Sequence, residues 1–152
     1  MRRDTKIAGA VFAALPLLIV GAAVADTWAI AHGASMKWRL LFRAICHGIP
    51  ARCLTLWHVP MPLCARCTAI YAGIAIGLAA FAMLPSAREK VLRWILILAV
   101  IPLTIDGVSQ GLRLRESTND LRVATGLAAG FAFGMWVLSA LERRDAQGVT
   151  TS

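Results

Sequence analysis

Four long hydrophobic stretches alternate with polar segments along the chain. Three of them contain no Asp, Glu, Lys or Arg, namely residues 7–25, 67–87 and 123–141. A fourth, residues 94–112, has the same length and hydrophobicity but contains Asp106. An α-helix needs about 20 mostly apolar residues to cross the hydrocarbon core of a bilayer. The pattern therefore predicts an all-α, polytopic membrane protein with four transmembrane helices, in one domain that covers residues 1–152.

The composition agrees with this prediction. Of 152 residues, 59% are hydrophobic and 16% are charged, which is too apolar for an ordinary soluble domain. The net charge of +8 is spread between the apolar stretches and forms no basic stripe. We therefore expect the lipid bilayer as a partner and exclude nucleic acid.

The first stretch has a second interpretation, because a signal peptide also combines a basic start with an apolar run. Here "MRRDTK" precedes the run and "AAVAD" ends it, which is typical of cleavage after Ala25. The run of residues 7–25 is longer than the roughly 7–15 residues of a signal-peptide core. A retained transmembrane helix is the favoured interpretation.

Small residues recur every four positions on two of the predicted helices. They are Gly126, Gly130 and Gly134 on the last helix and Ala69, Gly73 and Gly77 on the second. Small residues at this spacing allow the backbones of neighbouring helices to approach closely. We expect these two helices to pack closely against each other or against neighbouring helices.

Residues 46–67, the Cys/His segment, contain all four cysteines and two of the three histidines. Gly48 and Pro50 predict a sharp turn directly after His47. Prolines 50, 60 and 62 predict an irregular loop, or a hairpin around residues 54–59.

Four spans place this segment and the polar loop 113–122 on the same side of the membrane. Basic residues are divided evenly between the two sides. Those beside the termini and between the second and third spans are plain flanking charges, of the kind that remains in the cytoplasm. We therefore expect the Cys/His segment on the extracytoplasmic face.

The cysteine spacing is typical of a metal site. Cys64 and Cys67 lie at the start of the second span, where the helix dipole stabilises thiolates. With the adjacent Cys46 and His47 they form a set of three cysteines and one histidine, which suits zinc. Cys53 and His58 are further candidates, so a site of four cysteines stays open.

Two alternatives use the same cysteines without a metal. A membrane thiol–quinone oxidoreductase would pair Cys64 and Cys67 with Cys46 and Cys53, with a quinone as its cofactor. Two structural disulfides would instead staple the loop. A non-enzymatic metal-binding protein is a third possibility.

Polar residues in and after the third span are candidates for catalysis. A charge in the hydrocarbon costs at least ~2.5 kcal/mol, so Asp106 indicates a functional or paired group. Gln110 lies one helical turn further, and Glu116 follows in the polar loop. The alternatives are a structural salt bridge from Asp106 to Arg113 or Arg122 and a solvated charged loop. Ser117, three residues before Asp120, has the spacing of a helix N-cap.

The segments "CHGIPAR", "PLCARCTAIYAG", "DGVSQ" and "RESTNDLRVATG" resemble a prokaryotic family of small membrane proteins known as domain of unknown function 2085. The resemblance covers roughly residues 40–130 and implies a prokaryotic inner-membrane protein. Beside the metal and catalytic candidates, the resemblance implies a polar cavity for the substrate. Its residues would be Arg52, Arg66, Tyr71, Arg115, Asn119 and Arg122. Cys53 departs from the family, which typically has serine there. The resemblance therefore favours Cys46, His47, Cys64 and Cys67 as ligands and makes Cys53 and His58 doubtful.

From these residues we expect a zinc-dependent hydrolase or transferase that acts on a lipid-like substrate. Asp106 or Glu116 would act as the base, with Gln110 beside it. Arg115 and Arg122 would hold an anionic group of the substrate.

Overall fold

The computed structural model describes residues 3–35, 38–83, 89–112, 114 and 116–148. In this part of the chain the helices are α1 (Arg3–Ala31), α2 (Arg39–Phe42), α3 (Ala65–Met83), α4 (Glu89–Gly111) and α5 (Asn119–Gly148). A 3₁₀ turn at Pro50–Arg52 leads into strands β1 (Cys53–Leu56) and β2 (Val59–Cys64). The chain is therefore mostly helical.

Among the described residues, three helices are long and apolar enough to cross a membrane. Their candidate spans are Gly9–Ala31, Glu89–Gly111 and Asn119–Arg143, with mean hydropathies of 2.0, 2.0 and 1.6. The described apolar part of α3, Ala65–Phe81, is shorter. The structure thus gives three candidate spans where the sequence predicts four. Only 11% of the α4 span is buried, so most of its apolar side chains face outward, as they do in a helix surrounded by lipid.

Helix α3 packs mainly against α5 and α1, while α4 packs against α5. The α3–α5 contact is so close that it leaves no space for side chains at several glycines. A Cβ atom on Gly73 would lie 2.5 Å from the Leu127 carbonyl oxygen, and one on Gly126 would lie 2.8 Å from that of Arg66. The predicted tight packing of these two helices is confirmed.

The small sheet departs from the all-α prediction. Strands β1 and β2 are antiparallel and place Cys53 opposite Cys64 and Leu56 opposite Val59. Trp57 and His58 form the turn with φ angles of 50° and 63°, the left-handed conformation of a tight hairpin. The prolines of β2 do not prevent pairing, because each strand of a two-stranded sheet has one edge that forms no ladder bonds. The predicted hairpin around residues 54–59 is confirmed.

The hairpin is fixed against α1. Met61 and Leu63 of β2 are buried together with Ala23 of α1. Arg39 forms an ion pair with Asp26 at 3.1 Å and also donates to the carbonyl oxygen of Pro60. These contacts hold the end of β2, and with it Cys64, at a fixed position beside α3.

Candidate metal centre and polar cavity

Three cysteine sulfurs meet where β2 joins α3. Cys46 follows α2, Cys64 ends β2, and Cys67 lies in the first turn of α3. Their Sγ atoms all lie within 4.8 Å of one another. Cys46 is buried, and Cys64 and Cys67 are partly exposed. We call these three residues the sulfur cluster.

Backbone amides donate to two of these sulfurs. The N–H of Cys64 donates to Cys46 Sγ at 3.2 Å, and the N–H of Cys67 donates to Cys64 Sγ at 3.5 Å. The second bond exists because amides in the first turn of a helix have no intrahelical acceptor. Hydrogen bonds from the Cys67 thiol, and next from backbone amides, lower the pKa of Cys64 to about 5 although burial opposes the shift. Cys64 is therefore a thiolate at neutral pH, the form that binds metal or attacks a disulfide.

The spacing of the sulfurs is compatible with one metal ion. Tetrahedral zinc with Zn–S bonds of about 2.3 Å places its sulfurs roughly 3.8 Å apart. The cluster, with separations of at most 4.8 Å, needs only a small contraction to reach that geometry. Cysteine sulfur favours zinc over the hard cations calcium and magnesium.

The remaining candidate ligands lie outside the cluster. The His47 side chain is exposed and borders the same cavity as the three sulfurs. The Cys53 thiol donates to the Ile49 carbonyl oxygen at 3.1 Å, and burial raises its pKa to about 11. His58 occupies the exposed hairpin turn. Of the four ligands favoured from the sequence, the structure brings together Cys46, Cys64 and Cys67, with His47 adjacent.

A cavity of about 410 Å³ opens beside the sulfur cluster. Its lining comes from the Cys/His segment, the start of α3, the end of α4 and the start of α5: Ile45, Cys46, His47, Ile49, Arg52, Cys64, Arg66, Cys67, Gly107, Gln110, Gly111 and Arg122. The Cys/His segment and the end of α4 therefore meet. Ile45, Ile49, Gly107 and Gly111 were not expected from the sequence, although both glycines directly follow site candidates.

Asp106 forms a buried ion pair with Arg66. Arg66 Nη2 donates to Asp106 Oδ2, and the Asp106 side chain is 3% exposed. Arg113 and Arg122 were the partners expected from the sequence. Arg113 lies outside the described residues, and Asp106 attracts Arg122 electrostatically. Arg66 is a partner that sequence spacing could not indicate, because it lies 40 positions away.

A second cavity of about 220 Å³ adjoins the first. Arg52, Gln110 and Arg122 line both cavities. Glu116 is exposed and lines only the second one. The predicted Ser117 cap is wrong by one residue, because Thr118 Oγ1 accepts the N–H of Leu121 at 3.3 Å.

Asn119 links the two halves of the site. Its Nδ2 donates to the Cys53 carbonyl oxygen at 3.4 Å, and its Oδ1 accepts from Arg122 Nη1 at 2.6 Å. Tyr71 lines neither cavity and instead packs against the buried cluster around Met61 and Leu63. Arg115 lies outside the described residues.

Comparison with known proteins identifies a matching family and two similar archaeal proteins. The pattern of the family described as "Predicted membrane protein (DUF2085)" matches residues 46–136. An uncharacterized protein of Methanocaldococcus jannaschii is 36% identical over 100 residues, which are 64% of each chain. The match thus covers less than two thirds of that relative. An uncharacterized protein of Methanothermobacter thermautotrophicus is 37% identical over 94 residues, 62% of this chain and 85% of the relative. No solved structure has significant similarity.

Proposed function

This chain belongs to the family of predicted membrane proteins (DUF2085), and we propose that it binds zinc at Cys46, Cys64 and Cys67 to catalyse a hydrolytic or transfer reaction. The observation that carries the proposal is the convergence of three sulfurs within 4.8 Å beside a cavity lined with polar side chains. A purely structural zinc site is closed by four protein ligands, whereas a catalytic site leaves one position for water or substrate.

The fourth ligand is either His47 or water. His47 follows Cys46 directly, and its exposed side chain borders the cavity. With three thiolates and water, the metal would supply a hydroxide at neutral pH for attack on a carbonyl or phosphoryl centre. The chain's own residues would then orient the substrate and accept protons.

Two carboxylates are candidates for the base. Asp106 is buried in a pair with Arg66, next to cavity-lining Gly107. Glu116 lines the adjoining cavity and is exposed. Gln110 lines both cavities and would donate a hydrogen bond to the substrate. The substrate we propose is lipid-like, because the site lies at the ends of apolar helices.

We further propose that α3 is a fourth span and that the site faces outward. Helix α3 packs against both α1 and α5. Its described apolar part, Ala65–Phe81, is 17 residues long and ends shortly before residues 84–88, which the structure does not describe. Four spans would leave both termini in the cytoplasm. Fusions of a periplasmic reporter enzyme after residue 58 and at the C-terminus test this topology. We expect activity only from the first, and activity from the C-terminal fusion would contradict four spans with this orientation.

Metal analysis of the detergent-purified protein tests the zinc site. We expect about one zinc per chain, lost in Cys64→Ser and Cys67→Ser and kept in Cys53→Ser. Cys53→Ser is the matched control because that thiol hydrogen-bonds to Ile49 outside the sulfur cluster. Metal-free wild-type protein, purified with thiols reduced and with zinc supplied, would overturn the proposal.

The second candidate is a thiol oxidoreductase, which is supported by the lowered pKa of Cys64 next to a second thiol. Oxidation of the Cys64 thiolate and the Cys67 thiol to a disulfide would release two electrons and one proton, which together with one proton from water would reduce a quinone to a quinol. A relay with four cysteines receives less support, because Cys53 lies outside the sulfur cluster. Quinone reduction by metal-free protein, abolished in Cys67→Ser, would favour this candidate.

A further inference from the structure

We propose that Arg52, Arg66 and Arg122 form a phosphate-binding subsite in the cavity of the sulfur cluster. The inference rests on the proposed function in one respect: it assigns a phosphate group to the substrate of that reaction. All three arginines line the 410 Å³ cavity. A planar guanidinium can donate two parallel hydrogen bonds to phosphate oxygens, which makes arginine the usual residue for such recognition.

Arg122 is the central element of this subsite. It is only 5% exposed, which is unusual for arginine unless its charge is compensated. Its Nη1 donates to the neutral amide oxygen of Asn119 at 2.6 Å, and the Asp106 carboxylate also attracts it electrostatically. Its Nε is buried and has no acceptor among the described residues. A buried polar atom without a partner costs free energy, and an anion in the cavity would offset that cost.

Arg66 also has a buried guanidinium nitrogen without an acceptor among the described residues. One of its nitrogens donates to Asp106, while its buried Nε has no acceptor in the described part of the chain. The Asp106 carboxylate pairs with Arg66 and also attracts Arg122, so a single negative charge faces two of the three guanidinium groups. Arg52 is exposed and lines both cavities together with Arg122.

The charges around the cavity favour an anion also when zinc is bound. Three guanidinium groups carry +3, the Asp106 carboxylate carries −1, and zinc with three thiolates carries −1. The sum is positive, and Glu116 on the second cavity is exposed to solvent and therefore screened. A phosphate group that carries one negative charge would neutralise this sum.

The rest of the lining indicates where the remainder of the ligand lies. Ile45 and Ile49 give the cavity an apolar side, and Gly107 and Gly111 leave the surface of α4 free of side chains. The volume of about 410 Å³ lies in the range of roughly 300–1,000 Å³ that is typical of small-ligand sites. The shared chemistry is therefore a phosphate group, which either a lipid headgroup or free phosphate could supply.

Titration calorimetry with inorganic phosphate tests the subsite in full-length protein held in phosphatidylcholine nanodiscs. We expect saturable binding that Arg52→Gln weakens about tenfold, because one charge-assisted interaction is lost. Arg52 is exposed, so the variant should fold normally. Arg43→Gln is the matched control, because Arg43 is an exposed arginine directly after α2 that lines neither cavity.

Nanodiscs that also contain phosphatidic acid identify the source of the phosphate. A weaker apparent affinity for inorganic phosphate in these discs would assign the subsite to a lipid headgroup, and an unchanged affinity would assign it to free phosphate. No saturable binding in either disc, or an equal loss in Arg43→Gln, would overturn the inference. The zinc content of the same samples separates the two proposals. Zinc without phosphate binding would refute only the subsite, and phosphate binding without zinc would refute only the metal site.

Discussion

The backbone N–H of Cys64 donates a hydrogen bond to the sulfur of Cys46, 18 positions earlier in the chain, at 3.2 Å. This bond joins the end of β2 to the turn after α2. The first turn of α3, which follows β2 directly, places Cys67 beside these two cysteines. The sulfur cluster therefore depends on the hairpin, because β2 must run antiparallel to β1 to deliver Cys64 to that position. The candidate metal site therefore requires the β1–β2 hairpin to be folded.

The pKa values predict different reactivity for Cys64 and Cys53 in chelator-treated, reduced protein. Cys64, with a pKa of about 5, is ionised above that pH, so its alkylation rate should change little between pH 6 and 7.5. Burial raises the pKa of Cys53 to about 11, so its slower alkylation should rise about tenfold for each pH unit in this range. Mass spectrometry of iodoacetamide-labelled peptides measures both rates. A tenfold change per unit for Cys64 would contradict its assignment as a thiolate.

The glycines between α3 and α5 should not tolerate even a methyl group. A Cβ on Gly77 would collide with the Phe131 carbonyl oxygen, which belongs to rigid helix backbone. We expect Gly77→Ala to destabilise the protein by roughly 1–3 kcal/mol through overpacking. Gly21→Ala is the control, because a Cβ there meets no atom within 4 Å. Thermal unfolding in detergent measures the difference, and equal melting temperatures would refute the close helix contact.

Hydrophobicity predicted the long helices, and small-residue spacing predicted that α3 and α5 pack closely against each other or against neighbours, because both signals depend on local periodicity. The same patterns could not predict that Asp106 pairs with Arg66, since the partners come from different helices. The family resemblance made Cys53 a doubtful ligand, but the cysteine spacing by itself could not separate Cys53 from the other three cysteines. All four are close in sequence, and strand pairing even places Cys53 opposite Cys64. The Cys53 thiol nevertheless donates to the Ile49 carbonyl oxygen and lies outside the sulfur cluster.

Removal of the Asp106 carboxylate should destabilise the fold strongly. Asp106→Asn leaves the guanidinium of Arg66 without its buried counter-charge, which typically costs roughly 3–5 kcal/mol. The exposed pair of Glu89 and Arg143, with side chains 22% and 53% exposed, provides the control. Glu89→Gln should cost at most about 1 kcal/mol. Unfolding in increasing concentrations of denaturing detergent compares the two variants. A loss in Asp106→Asn no larger than in Glu89→Gln would contradict the buried pair.

A substitution in the hairpin turn should change the stability of the protein without changing its metal binding. His58 has a φ of 63°, a conformation that costs a residue other than glycine roughly 1–2 kcal/mol. His58→Gly should therefore raise the melting temperature, because glycine at this position completes a favoured hairpin turn. The imidazole lies in the exposed turn, outside the sulfur cluster, so the zinc content should stay unchanged. His58→Ala is the control: it removes the same imidazole without relieving the backbone. Loss of zinc in both variants would instead identify His58 as a ligand, whereas a raised melting temperature in His58→Gly alone would assign its effect to the backbone.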